Sequence, residues 1–154
     1  MILFVDTSVW YAALDRADVS HERAVGLLGD EPRLASTDFV LVETWRLAAH
    51  RLGFDVAERF WDSLRRGRTL LEPVGPADRE TAWFIGRRYP DQRFSLVDRT
   101  SFAVMERLGL ERVAAFDDDF AVYRLGAQRP TAMRRPTAPR CSTRWPGLTT
   151  ASGS

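Results

Sequence analysis

The sequence contains no lysine and only one cysteine. All 22 basic side chains among its 154 residues are arginines, which excludes a Walker A phosphate loop, a Schiff-base lysine and a receiver-type phosphorylation site. The lone Cys141 excludes an intramolecular disulfide framework and a zinc site built from cysteines. Purely apolar runs are only a few residues long, so we expect no membrane-spanning helix, and no basic segment follows Met1 as in a secretory signal. These absences together predict a cytoplasmic protein.

Charge is distributed unevenly along the chain. Residues 1–119 contain all 21 acidic residues and 16 arginines, a net charge of −5, whereas residues 120–154 contain six arginines and no acid. Apolar residues make up 45% of the chain, the proportion of an ordinary globular protein. Hydrophobic periodicity stops where the basic segment becomes rich in Pro, Thr and Arg. We therefore predict one folded domain over residues 1–126 and a disordered basic tail over residues 127–154.

Short apolar runs alternate with stretches of helical periodicity before this tail. Four runs are predicted to be strands, at residues 2–5, 33–36, 69–71 and 112–116. Helices are predicted over residues 9–14, from residue 21, over residues 39–52, 54–66, 77–88 and 96–108, and in a short segment that ends at residue 125. Alternation of this kind predicts an α/β sandwich in which helices flank a mostly parallel central sheet.

Acidic residues follow the first and the fourth predicted strands. Asp6 ends the first strand, and the acidic triplet 117–119 ends the fourth. Because ligand sites in parallel sheets lie beyond the carboxyl ends of the strands, we expect these carboxylates to converge. Structural roles stay open as well: Asp6 as an acid at a helix N-terminus, and the triplet as a helix cap in solvent.

Two further acids lie on predicted helices. Glu43 belongs to a helix that is apolar nearly all round, so its carboxylate needs either a polar cleft, which we favour, or a salt bridge to Arg46 or Arg99. Asp98 follows Ser95 at the spacing of a capping pair, which leaves a structural role open beside a functional one. A pocket of three or four carboxylates supplies oxygen ligands for Mg²⁺, with Mn²⁺ as a substitute, and such ions favour phosphodiester chemistry.

Aromatic residues and histidines carry less information. Trp45, Trp61 and Trp83 fall on apolar helix faces and are predicted to lie in the core or in a dimer interface. The two histidines, His21 and His50, lie near helix ends, where surface or capping roles are expected. None of these residues completes a nucleophilic triad.

Four separated stretches share a pattern with known proteins. They are residues 5–8 (VDTS), the helical Glu43, residues 94–105 (FSLVDRTSFAVM) and residues 115–120 (AFDDDF). Over roughly residues 1–126 they resemble the motifs of PIN-domain proteins, and more narrowly those of the VapC-type toxins of type II toxin–antitoxin pairs. The resemblance implies a PIN-like α/β/α fold and metal-dependent endoribonuclease activity. It implies catalytic roles for Asp6, Glu43, Asp98 and Asp117, and metal-ligand roles for Asp6, Asp98, Asp117 and, as an additional candidate, Asp119.

The resemblance also implies partners. They are an RNA substrate such as tRNA or ribosomal RNA, a VapB-type antitoxin that blocks the cleft, and a second copy of the chain in a homodimer.

Two features depart from the family. Ala115 stands where many relatives have Thr or Ser two residues before the fourth acid, and the chain continues with the basic tail, which we expect to be passive rather than to bind RNA.

Two other functions remain open at this stage. A metal-dependent nuclease acting on DNA requires the same acidic cleft, since the acids do not select the sugar. An inactive PIN scaffold that binds protein or RNA is disfavoured by the complete set of four acids. A dehalogenase-type phosphatase is disfavoured because Ser8 stands where that class has a second aspartate, two residues after Asp6.

Overall fold

The computed structural model describes residues 1–127, so all of the predicted tail at 127–154 except its first residue lies outside the described part of the chain. Its strands are β1 (Leu3–Val5), β2 (Leu34–Thr37), β3 (Leu70–Glu72) and β4 (Arg112–Ala114). Its helices are α1 (Thr7–Leu14), α2 (His21–Asp30), α3 (Asp38–Arg51), α4 (Phe54–Arg66), α5 (Pro76–Arg88), α6 (Leu96–Leu108) and α7 (Asp119–Ala127). Every predicted element is present, with bounds that differ by no more than two residues.

The four strands form one parallel sheet in the order β3-β2-β1-β4. All three residues of β1 are buried, which explains why this strand reads as an uninterrupted apolar run rather than an alternating one. The chain proceeds outward from β1 through β2 to β3 and then returns to β4 on the other side of β1. This reversal of strand order leaves a crevice beyond the carboxyl ends of β1 and β4, where α/β sheets bind ligands.

Two helices connect each pair of successive strands. Helices α1 and α2 join β1 to β2, α3 and α4 join β2 to β3, and α5 and α6 join β3 to β4. Such crossovers are right-handed, so connections that run in one direction across the sheet place their helices on one face. The connection from β3 to β4 runs in the opposite direction, so its helices α5 and α6 cover the other face. The predicted α/β/α sandwich is thereby confirmed. Within residues 1–127 no helix is both long and apolar enough to cross a lipid bilayer.

Aromatic contacts anchor α7 to the centre of the molecule. The ring of Phe102 on α6 meets that of Phe120 edge-on, with centroids 4.9 Å apart, and stacks in parallel on Tyr123 at 4.2 Å. Phe120 also contacts Phe4 of β1. Because α7 begins at Asp119, these contacts fix the position of the acidic triplet relative to the first strand.

The tryptophans divide between core and surface. Trp10 of α1 is buried, and its indole N–H donates to the Ser36 hydroxyl at 2.8 Å. Trp61 and Trp83 are instead 48% and 60% exposed, so the core alternative is wrong for both. Their helices bury a different stripe against the sheet, and this stripe consists of Ala57, Phe60 and Leu64 on α4 and of Asp78, Ala82 and Ile85 on α5.

A buried ion pair joins α5 to α6. Asp78 is only 4% exposed, accepts a hydrogen bond from the Gly75 backbone N–H at 2.9 Å, and pairs with Arg107 of α6 through both carboxylate oxygens. Burial alone would raise the pKa of Asp78, but the hydrogen bonds and positive charge of Arg107 outweigh it and hold that pKa below its usual value. The pair fixes α6, and with it Asp98 in its first turn.

Candidate active site

Asp6 lies at the carboxyl end of β1 and is 3% exposed. It is the N-cap of α1, and its Oδ2 accepts hydrogen bonds from the Ser8 backbone N–H at 3.0 Å and from the Ser8 hydroxyl at 2.7 Å. The structural role that the sequence left open for Asp6 is therefore real. It does not exclude a functional one, because Asp6 also lines a large cleft.

Ser8 links the loops that follow β1 and β4. Its hydroxyl donates to Asp6 and accepts a hydrogen bond from the Phe116 backbone N–H at 3.0 Å. Next to it, the Asp6 N–H donates to the Ala114 carbonyl at 3.0 Å, which continues the pairing of the two strands. Asp117, one residue beyond Phe116, is thereby held close to Asp6. Sequence reasoning missed this role of Ser8; its only signal was a hydroxyl two residues after the first acid.

Glu43 projects from α3 toward the same loop. Its Oε2 accepts a 2.6 Å hydrogen bond from the Thr7 hydroxyl. The side chain lines the cleft, which is the alternative that the sequence favoured over a salt bridge. The alternative of a salt bridge is wrong, because within residues 1–127 Glu43 pairs with neither Arg46 nor Arg99. Arg99 instead donates to the Ser95 carbonyl. Thr7 is thus a second positioning residue that the sequence did not reveal.

Asp98 has both of the roles that its spacing left open. Its Oδ2 accepts from the Ser95 N–H at 2.7 Å, and the Ser95 hydroxyl accepts from the Asp98 N–H at 3.1 Å, which is a complete capping box. The same carboxylate lines the cleft. Position N3 of α6 is therefore fixed from both sides, which holds this acid rigidly at the edge of the cleft.

The acidic triplet separates into two kinds of residue. Asp117 and Asp119 line the cleft, whereas the exposed Asp118 does not. Asp117 follows β4 and caps the turn into α7 by accepting a hydrogen bond from the Asp119 N–H at 3.2 Å. The prediction that acids from the first and fourth strands converge is confirmed by this geometry.

The cleft has a volume of about 930 Å³ and combines acids from four elements of the fold. Its acidic lining residues are Asp6, Glu43, Asp98, Asp117 and Asp119. Two basic side chains of α3, Arg46 and His50, also line it. Sequence reasoning assigned His50 to the surface and did not place Arg46 in the cleft, although both follow Glu43 at helical spacing.

Burial, and to a smaller extent the crowding of like charges, raises the pKa values of these acids. Burial raises the pKa of Asp6 against the hydrogen bonds from Ser8, and burial also raises that of Glu43 against the bond from Thr7. Partial burial at the rim and the negative charge of Asp6 raise the pKa of Asp117 to about 6. Burial raises the pKa of Asp119 as well, and the negative charge of Asp98 raises it more than the charges of the other neighbouring acids do. The cleft thus concentrates negative charge with too little positive charge to balance it.

The chemistry of these side chains suits a divalent cation. Every acidic lining group offers a carboxylate oxygen, which hard cations such as Mg²⁺ and Mn²⁺ prefer, and a cation would supply the missing positive charge. Within residues 1–127, no three acidic, histidine or cysteine side chains are grouped closely enough to hold an ion as they stand. Asp6, Glu43 and Asp98 are instead hydrogen bonded to their neighbouring hydroxyl and amide groups.

Comparisons with known proteins agree on one family. The PIN domain family model matches residues 3–125. The chain is 35% identical over 130 residues to the 23S rRNA-specific endonuclease VapC20 of two Mycobacterium tuberculosis strains, an alignment that covers 84% of this chain and 99% of each relative. The crystal structure of M. tuberculosis VapC20, a sarcin–ricin loop cleaving toxin, matches with a TM-score of 0.75 at 34% identity, covering 80% of this chain and 95% of that one.

Proposed function

The chain belongs to the PIN-domain family, and we propose that it is a VapC-type toxin, an endoribonuclease that cuts RNA in its acidic cleft. The observation that supports this most directly is the convergence of five carboxylates at the carboxyl ends of β1 and β4. The relative VapC20, at 35% identity over nearly its whole length, is an RNA endonuclease. We further propose that the substrate is 23S ribosomal RNA at the sarcin–ricin loop, which places the activity in the cytoplasm.

A divalent cation, Mg²⁺ with Mn²⁺ as substitute, is the proposed cofactor. Asp6, Asp98 and Asp117 would hold it, with Asp119 as an additional ligand. A bound cation supplies Lewis-acid chemistry, which polarises the phosphate and activates a water molecule. Burial and the neighbouring carboxylates raise the pKa values of these acids, and a bound cation would favour their charged forms.

Glu43 is the proposed proton acceptor. The water oxygen bonds to phosphorus, and the bond from phosphorus to the leaving ribose oxygen breaks. One proton of the attacking water passes to the Glu43 carboxylate, and the leaving oxygen takes a proton from solvent to become a hydroxyl. Thr7 holds Oε2 of that carboxylate, which fixes its orientation and leaves Oε1 without a partner among the described residues. Burial beside two other acids raises the pKa of Glu43, which makes it a better base than an exposed glutamate.

The decisive variant is Asp98→Asn. It keeps the size of the side chain and the oxygen that caps α6, but it removes a ligand charge, so cleavage of a synthetic sarcin–ricin hairpin should fall by orders of magnitude while the fold persists. Rates are measured with Mg²⁺, with Mn²⁺ and with chelator. Asp118→Asn, an equal charge change outside the cleft, is the matched control and should cut at the parent rate.

Three outcomes contradict the proposal. Cleavage by Asp98→Asn at the parent rate means that Asp98 only caps its helix. Cleavage of a DNA hairpin of the same sequence as fast as RNA identifies a DNA nuclease. A parent protein that cuts no nucleic acid with either metal is an inactive scaffold.

Two protein partners complete the proposal. One is a VapB-type antitoxin that covers the cleft, so its co-expression should abolish the toxicity of the parent chain. The other is a second copy of the chain, and α5 offers the surface for it. Trp83 and Phe84 are adjacent on this helix and 60% and 59% exposed, and exposed aromatic pairs of this kind are typical of interfaces.

A further inference from the structure

The cleft extends beyond the acids along one face of α3. The residues of α3 that line it recur every three or four positions, and they are Phe39, Val42, Glu43, Arg46, Leu47 and His50. At a rise of about 1.5 Å per residue, Arg46 lies ~4.5 Å and His50 ~10.5 Å farther along the helix axis than Glu43. The cleft therefore has an acidic end and, one to two helical turns away, a basic end.

The two basic side chains at this end of the cleft are available to a ligand. Glu43 is the intrahelical neighbour to which Arg46 would ordinarily pair, but its Oε2 accepts from Thr7 instead. Both Arg46 and His50 are exposed, and neither forms an ion pair within the described residues. Arg51, on the same helix, differs: its guanidinium lies 5.8 Å from the ring of Tyr11 on α1, away from the cleft.

An RNA strand matches this arrangement of charges. A strand with one phosphate at the acidic end carries further phosphates on either side, and each of them binds best where a cation faces it. The lining of the cleft on α3 also includes two apolar side chains, Leu47 between Arg46 and His50 and the 56% exposed Val42 before Glu43, against which a base or a ribose can pack. The basic end of the cleft thus complements the neighbours of the phosphate that the acidic end attacks.

We propose that Arg46 and His50 are substrate-positioning residues that bind the phosphates next to the scissile one, so that the RNA strand follows α3 away from the acids. The inference rests on the proposed RNA cleavage and adds the path by which the strand leaves the site. Neither side chain takes part in bond breaking. Their binding energy is the same in the ground state and the transition state, so it lowers KM without changing kcat.

The test is the double variant Arg46→Gln/His50→Gln, compared with Arg51→Gln as the matched control. Binding of a labelled sarcin–ricin hairpin and of a single-stranded oligouridine is measured with both variants placed in an Asp98→Asn chain, which does not cut. Kd and, in the cutting chain, KM for the double variant should rise about tenfold, with kcat within about twofold of the parent. The salt dependence of oligouridine binding should flatten by ~0.7 for each phosphate that no longer binds a cationic side chain. Arg51→Gln should match the parent in all of these.

Recovery and refutation are both measurable. Arg46→Lys keeps the charge and should retain part of the affinity, whereas a contact that depends only on packing gives no such rescue. Unchanged Kd and KM in a folded double variant overturn the inference and leave the proposed cleavage standing. A fall in kcat at constant KM, or loss of antitoxin binding with RNA binding retained, overturns it as well. A parent chain that neither binds nor cuts RNA refutes the proposed function and this inference together.

Discussion

At the scale of single residues, Asp117 illustrates how partial burial and neighbouring negative charge in the cleft disfavour an ionised carboxylate. Its pKa is 3.8 in an unfolded chain and about 6 in the folded protein, so the folded state binds the proton more tightly than the unfolded one. The cation-free parent therefore loses stability as pH rises from about 4 to about 6 and stays at the lower level above that range. Asp117→Asn removes the repelled charge and keeps an oxygen for the Asp119 N–H.

We predict that Asp117→Asn raises the melting temperature in chelator at pH 7.5 by about 2–4 °C, and that this difference shrinks near pH 4. Mn²⁺ should stabilise the parent strongly and the variant less, because one ligand charge is gone. Asp118→Asn, outside the cleft, should follow the parent in every condition. An Asp117→Asn protein that melts at or below the parent in chelator contradicts the repulsion argument.

Ser8 shows how much one hydroxyl can position. Ser8→Ala removes the group that joins the Asp6 carboxylate to the Phe116 N–H, at a cost of about 1 kcal/mol in folding free energy. Because Asp117 follows Phe116 directly, we predict that cleavage or Mn²⁺ affinity falls on the order of 10–100-fold, the usual effect of losing a group that orients a ligand. Ser63→Ala removes a surface hydroxyl that bonds only within α4 and should leave activity unchanged. Equal activity of the two variants refutes the role of Ser8.

At the scale of secondary structure, the ion pair of Asp78 and Arg107 is the strongest polar link between helices α5 and α6. Arg107→Gln leaves a carboxylate of 4% exposure without its partner, so we predict a loss of about 2 kcal/mol of unfolding free energy. Folding lowers the pKa of Asp78 below its value of 3.8 in the unfolded chain. The ion pair therefore stabilises the fold fully above pH 3.8, and this stabilisation is lost as pH falls through the pKa of the folded state. Parent and variant should therefore converge in acid.

Urea unfolding at pH 7 and pH 3 measures that difference. The control is Arg65→Gln, which breaks a solvent-exposed pair with Asp62 on α4 and should change the unfolding free energy far less than Arg107→Gln does. If the unfolding free energies of the parent and Arg107→Gln differ as much at pH 3 as at pH 7, the ion pair is not the cause. The effect then comes from packing of the arginine stem.

Elements of this fold were predictable because their signals are local. The apolar run of β1, the 3.6-residue periodicity of α4 and the capping pair of α6 each lie within a few neighbouring residues. The positioning contacts were not predictable, because Thr7 meets Glu43 across 36 positions and Ser8 meets Phe116 across 108. The same reason explains why the core alternative is wrong for Trp61 and Trp83, since an apolar stripe shows which face of a helix is buried but not how far its flanks are covered.

At the scale of the whole molecule, the exposed pair on α5 predicts the oligomeric state. Trp83→Arg places a charge in the proposed dimer interface and should give a monomer, because a charge there is desolvated without a partner. Sedimentation velocity of the variant at several concentrations checks this. Trp61→Arg alters a tryptophan of similar exposure on α4 and should leave the dimer intact. If the Trp83→Arg protein sediments as a dimer like the parent, the dimer interface lies on a surface other than α5.

The carboxylates of the cleft come from positions 6 to 119, and β4, the strand that precedes the last two of them, inserts beside the first strand of the sheet. During synthesis the earliest acid leaves the ribosome long before its partners, and no N-terminal fragment that stops before β4 contains the pocket. Under the proposed function, a nascent chain therefore cannot cut RNA until almost all of the described fold has emerged. A cognate antitoxin has that interval in which to be made before the cleft is complete.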